Sequence, residues 1–281
     1  MSAKFGPGGN SESFYAAGFK STLQAPGFVR SLGLEAYEYE AGNGIPKNDT
    51  MLRAIGEKAA EHGINMSFHT PYYISLSSVE REKRINSVEY LRQSASAASL
   101  LGASIMVVHC GSAGKIDRAT AMEYAAETLL LADAMLASEG FGVTLGIETM
   151  GKVNQLGTLD EVITLCKLSK RFAPVVDFGH LNARGRGCIF GVEDYSKIFD
   201  TITEELGFSY ADNLHCHFSK IMFTEMGEKK HLTFEDEVYG PEFAPLAVCL
   251  KQKCLSPTII CESAGTQSED ALAMKMIYTE A

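Results

Sequence analysis

Residues 174–180 read PVVDFGH: an apolar run whose valines favour a strand, stopped by Asp177, with His180 three positions further on. An acid set directly after a buried strand costs free energy unless a partner meets it. Gly179 is expected to let the chain turn there. The same ending recurs along the chain, and that recurrence decides the fold.

Working outward, short strand-like runs alternate with longer helical ones. The strand candidates are KFGP near residue 4, LEAYEYE (34–40), NMSFH (65–69), SIMVVHC (104–110), VTLGIE (143–148), PVVD (174–177), NLHCHF (213–218) and PTIICE (257–262). Between them, stretches such as SVEYLRQSASAASLLG and AMEYAAETLLLADAMLASEG repeat apolar residues at helical spacing and end at glycine. Eight strands alternating with helices in 281 residues favour a (β/α)8 TIM barrel over an open doubly wound sheet. No GxGxxG follows the first strand, and GPGG at 6–9 reads as a loop.

No linker or composition shift divides the chain, so residues 1–281 are expected to form a single domain. Apolar content of 46% and charged content of 21% suit a soluble globular protein. No apolar run is long enough to cross a bilayer and the first residues lack a signal-like core, so a cytoplasmic monomer without membrane contact is expected. The seven cysteines form no CxxC pair and several lie in apolar runs, which fits reduced structural thiols. A net charge of −10 argues against nucleic-acid binding driven by overall charge, but bound metal ions would add charge that this count omits.

In a barrel the C-terminal strand ends share one mouth. The third strand candidate ends at His69, the fourth at His109, the fifth at Glu148 and the sixth at Asp177, with His180 just beyond. The seventh carries His215 and His217, with His231 in its long loop, and the eighth ends at Glu262. Such a gathering of imidazoles and carboxylates suits zinc, with manganese as an alternative, and exceeds the needs of one ion. Glu148 is placed to bridge two ions. His215 is expected to reach the mouth, with His217 as its deeper partner. His62 falls outside the group, at a helix end.

At these residues the chain resembles the endonuclease IV family within the xylose-isomerase-like TIM barrels. The ordered pieces are FHTPYYISL, VVHCG, GIET, VVDFGH, LHCHFSK, KKHLTF and ICES, spread over residues 30–278. The resemblance implies a zinc-dependent hydrolase that cuts damaged double-stranded DNA 5′ to abasic sites, with Glu148 and Glu262 catalytic. His69 and His109 would hold a first metal, which Glu148 bridges to a second held by Asp177, His215 and Glu262. His180 and His231 would hold a third. Tyr72 matches a tyrosine used at the lesion, and Arg184 and Arg186 would grip phosphate.

Three positions depart from that pattern. Lys229 stands where the family has an Asp ligand of the third metal, with Glu228 or Glu225 as substitutes. The loop EAGNGIPKND has no Arg where the family probes DNA, and the first strand has no His. A sugar isomerase or epimerase is the alternative, because Glu148, Asp177, His215 and Glu262 alone would make a single-ion site with carboxylates for proton abstraction.

Overall fold

The computed structural model describes residues 2–42 and 44–281, so Met1 and Asn43, the latter within the EAGNGIPKND loop, lie outside the described residues. The strands are β1 (Lys4–Pro7), β2 (Ala36–Glu40), β3 (Asn65–His69), β4 (Ile105–His109), β5 (Thr144–Glu148), β6 (Phe172–Asp177), β7 (His215–Phe218), β8 (Ile221–Thr224), β9 (Gly227–His231) and β10 (Thr258–Cys261). Eight of them form one parallel sheet in the order β1-β10-β7-β6-β5-β4-β3-β2. The two ends of that order also meet. Glu35 N donates to Phe5 O at 3.0 Å, Gly9 N donates to Glu38 O at 2.9 Å, and Gly8 pairs in parallel with Glu38. The sheet is therefore a (β/α)8 barrel, and all eight strand candidates are its staves.

The glycine cluster at 6–9 is not a loop. Gly6 and Pro7 belong to β1, and Gly8 carries the closing bridge. A Cβ on Gly6 would stand 1.7 Å from Ala36 O, so only glycine lets β1 and β2 approach closely enough to close the barrel.

The intervening helices stop where their ends dictate. Asn48 Oδ1 accepts from Met51 N at the start of helix 49–62, and Gly63 ends it with φ 66°. Helix 81–101 ends at Gly102 with φ 70°, and Asp117 caps helix 118–138 by accepting from Thr120 N. Among the described residues no helix is long and apolar enough to cross a membrane.

Successive strand residues point to opposite faces. One set, including Phe68, Met106, Val108, Ile147, Val176, Cys216 and Ile259, joins the helices in the main apolar core. The other set faces the barrel axis. There Ile105, Val107 and Val175 form a separate apolar cluster. The strand positions in phase with it include Glu148, Asp177 and His109, so the period-2 alternation that packs the floor also aims polar groups at the mouth.

Replacing Gly6 by alanine is expected to destabilise the chain by about 3 kcal/mol or prevent folding, because the clash is with backbone that cannot move aside. Urea unfolding measures this, and a variant as stable as the parent would contradict the closure argument.

Candidate metal centre

PVVDFGH resolves into a strand end and a helix start. Asp177 ends β6 and caps the short helix Phe178–Arg184, its Oδ1 accepting from His180 N at 2.7 Å. One carboxylate oxygen is thereby committed to the backbone. The other, Oδ2, is buried without a hydrogen-bond partner and lies 3.3 Å from His180 Nδ1. The first helical turn, not a loop, returns His180 to the mouth. Gly179 serves close packing rather than turning, since a Cβ there would lie 2.6 Å from Ser219 O.

Glu148 is the hub. It is 1% exposed, with His109 Nε2 at 3.0 Å, His217 Nδ1 at 3.0 Å, and His69 Nε2 and His180 Nδ1 each at 3.5 Å. Burial pushes its carboxyl up, but the His217 charge and the hydrogen bonds of the imidazoles outweigh it and hold the group well below the usual range. Burial pushes the His69 imidazole down, yet the Glu40 and Glu148 carboxylates bring it up to about 10. Burial also raises Glu262, and Glu40 up to about 7.

Among the described residues five donor sets have their atoms within 4.8 Å of one another. Three gather around Glu148: His69, Glu148 and His217; Glu148, Asp177, His217 and Glu262; and His180, Glu228 and His231; two more contain Glu38, with Glu40 and Glu262 or with His215 and His217. His109 adjoins the first through Glu148. The donors fit cations rather than a closed salt-bridge network, because Glu148 Oε2 and Asp177 Oδ2 are buried and lack aligned hydrogen bonds. Neutral groups fix the outer nitrogens of several rings. His69 Nδ1 meets Thr70 O at 2.9 Å, His180 Nδ1 meets Thr149 O at 3.0 Å, and His231 Nδ1 meets Ser219 Oγ at 2.8 Å, leaving each Nε2 for an ion.

The expected long loop after β7 is an antiparallel hairpin, β8–β9. Met222 pairs with Lys230 and Phe223 with Glu228, so Lys229 is the extra residue of a β-bulge. Without a bulge, Glu228 and His231 would face opposite sides. The bulge puts both on one side, and Glu228 Oε2 lies 3.4 Å from His180 Nε2. Glu228, rather than Lys229, thus groups with His180 and His231.

Two expectations change. His217, not His215, joins Glu148, Asp177 and Glu262: both rings point inward, but His217 is one pleat nearer the mouth. His215 sits below, its Nε2 2.8 Å from Glu38 Oε2. Arg184 is not free to grip phosphate. Its guanidinium donates to the carbonyls of Met150, Lys152, Val153 and Gln155 and staples the loop after β5. Arg186 is exposed with φ 55° and does not line the mouth. Glu38 and Glu40 on β2 also face this site, and their in-phase spacing is the signal that the sequence carries for them.

His69, His109, Glu148, His180, Glu228, His231 and Glu262 line a cavity of about 360 Å³ with Tyr72, Lys152 and Gln155. A second recess of about 310 Å³ adjoins it through Tyr72, His231 and Glu262, walled by Glu40, Gln267 and glycines 8, 42 and 44. Tyr72 is 63% exposed, its ring 5.7 Å from those of His69 and His109.

Metal binding is expected to release protons. His69 carries one at pH 7 in the metal-free protein and must lose it for Nε2 to ligate, so affinity rises with pH up to about 10. Calorimetric titration of zinc in buffers of different ionisation enthalpy checks this; identical heats in every buffer would contradict it. Arg184→Ala is expected to cost about 1–3 kcal/mol of stability, because Met150 O loses its donor and the loop loses its staple. Arg118 still donates to Val153 O and Gln155 O, and Gln155 N to Lys152 O. Urea unfolding measures the loss.

Residues 27–275 match the family described as the xylose isomerase-like TIM barrel. The chain is 29% identical over 255 residues to the uncharacterized protein MJ0133 of Methanocaldococcus jannaschii, covering 90% of each. It is 28% identical over 217 residues to the probable endonuclease 4 of Acholeplasma laidlawii, covering 70% of this chain and 71% of that one. Among solved structures, endonuclease IV from Thermus thermophilus superposes with a TM-score of 0.71 at 17% identity, over 99% of this chain and 100% of that one. A D-tagatose 3-epimerase-like protein also reaches 0.71, at 18% identity over 99% and 96%. At such identities these superpositions speak for the fold alone. The chain belongs to the xylose isomerase-like TIM barrels.

Proposed function

We propose that the chain is a zinc-dependent phosphodiesterase that cuts DNA on the 5′ side of abasic sites. The observation that carries this reading is the presence of three donor sets around Glu148, more than one ion can use. The relatives named probable endonuclease 4 support it. Zinc ions bound there would supply positive charge for a phosphate and lower the pKa of a water molecule.

The chain's own groups do the rest. Glu148 would join the donor sets and accepts a hydrogen bond from His217 Nδ1, and Glu262 lies 3.3 Å from the same nitrogen. Tyr72 stands at the rim over His69 and His109, where its exposed ring can fill the gap left by a missing base. The adjoining recess has room for the extruded sugar. Lys152 is the cationic side chain lining the cavity and is positioned for a phosphate oxygen.

One observation favours a second reading, a sugar epimerase. Glu40 Oε1 and Gln267 Oε1 are buried without partners in the recess and would accept hydrogen bonds from sugar hydroxyls. Such an enzyme needs only the ion of Glu148, Asp177, His217 and Glu262.

Elemental analysis of zinc-loaded protein is expected to give about three ions per chain, falling by one in Glu228→Gln. A duplex with one abasic site should be incised while its undamaged control is not. Glu148→Gln should lower the rate by about 1,000-fold. One ion per chain, with turnover of a ketose and no incision, would replace the nuclease by the epimerase.

A further inference from the structure

Beneath the mouth, Glu38 lies inside the barrel on β2 and is 0% exposed. Its two oxygens reach two rings of β7: Oε2 lies 2.8 Å from His215 Nε2 in an aligned hydrogen bond, and Oε1 lies 2.8 Å from His217 Nε2. On its other side, His217 Nδ1 faces Glu148 Oε1 at 3.0 Å and Glu262 Oε1 at 3.3 Å. The His217 ring thus stands between a deep carboxylate and the donor sets of the mouth.

We infer that Glu38 is a positioning residue, the carboxylate that fixes His217 with Nε2–H downward and Nδ1 turned to the metals, with His215 holding Glu38 in place. The inference rests on the reading that the mouth binds metal. Glu38, His215 and His217 could themselves be taken for a deeper ion site, since their donor atoms lie close together. The spacing decides against it. Both separations are 2.8 Å, whereas two donors about 2.0–2.2 Å from one tetrahedral zinc stand roughly 3.3 Å apart, and the His215 contact is an aligned hydrogen bond.

Chemistry supplies the reason for a carboxylate at this position. The outer nitrogens of His69 and His231 rest on a neutral carbonyl and a hydroxyl, and that of His180 rests on Thr149 O with the Asp177 carboxylate at 3.3 Å. His217 belongs to both donor sets that contain Glu148, and its other nitrogen faces a carboxylate that lies below the mouth. A carboxylate on the outer nitrogen raises the basicity of the ligating one and locks the ring's tautomer. The Oε1 contact is an ion pair at 2.8 Å that is not aligned as a hydrogen bond. His215 explains how an acid survives so deep: it meets one oxygen, so the charge does not depend on His217 alone.

Glu38→Gln and Glu38→Asp test the assignment, with zinc affinity read by competition against a chromophoric chelator and the absorption spectrum of the cobalt-loaded protein recorded alongside. Glu38→Gln should weaken one ion by about 10–100-fold and alter its cobalt bands, and Glu38→Asp should restore part of the loss. Urea unfolding without metal separates this from a purely structural role. A loss of stability with unchanged zinc affinity and cobalt bands would overturn the assignment. Wild-type protein that takes up no metal would overturn it together with the nuclease reading. Zinc bound by the parent and weakened in Glu38→Gln, without incision of abasic DNA, would uphold Glu38 and remove only the nuclease.

Discussion

A carboxylate buried among imidazoles organises this molecule. Glu148 has almost no contact with water, and His69, His109, His180 and His217 crowd its two oxygens. Burying that charge costs several kcal/mol after relaxation, and the rings offset it only while some of them carry protons. Those rings also raise one another's cost of charging, as burial and the neighbouring His69 do at His109. Divalent ions would end the conflict, because they would neutralise the carboxylates while the rings stay neutral. The barrel is the frame that makes the convergence possible, since its closure through Gly6 brings β2 against β1 and places Glu38 and Glu40 beneath the same mouth.

The eight staves were readable because apolar runs of strand length alternate with helical periods, and each mouth residue follows such a run directly. Glu38 and Glu40 were hidden by that same rule. In AYEYE the aromatic and acidic residues alternate, which usually describes a strand with a solvated polar face. Closure reverses it: the tyrosines pack outward against helices, and the acids face the barrel interior. The exchange of His215 and His217 was likewise beyond reach. Period-2 reasoning puts both rings on one face and chain direction puts His217 nearer the mouth, but which of them stands level with Glu148, Asp177 and Glu262 depends on strand stagger, a property of the whole sheet.

The hairpin β8–β9 shows a different limit. Residue by residue, Lys229 looks like the loss of a ligand. In the ladder it is the bulged residue, and its insertion brings Glu228 into phase with His231. A single-position comparison cannot detect this, because the compensation lies in register rather than in composition. Polar donors at one mouth can be preserved while the residues that carry them slide along a strand.

Positive charge is the scarce quantity at this mouth. The chain carries −10, Arg184 is committed to four backbone carbonyls, and Lys220 is buried against Asp236 O and Glu242. In the metal-free mouth the positive charge beside Lys152 is carried by imidazoles such as His69, and those rings must lose their protons to ligate a metal. In the loaded protein the attraction for a phosphate would then come from the ions, and substrate affinity becomes coupled to metal loading. Sugar hydroxyls need no such charge, since buried carboxylate oxygens accept their hydrogen bonds. The charge of the ligand is therefore the property by which the loaded and empty forms of this pocket differ most.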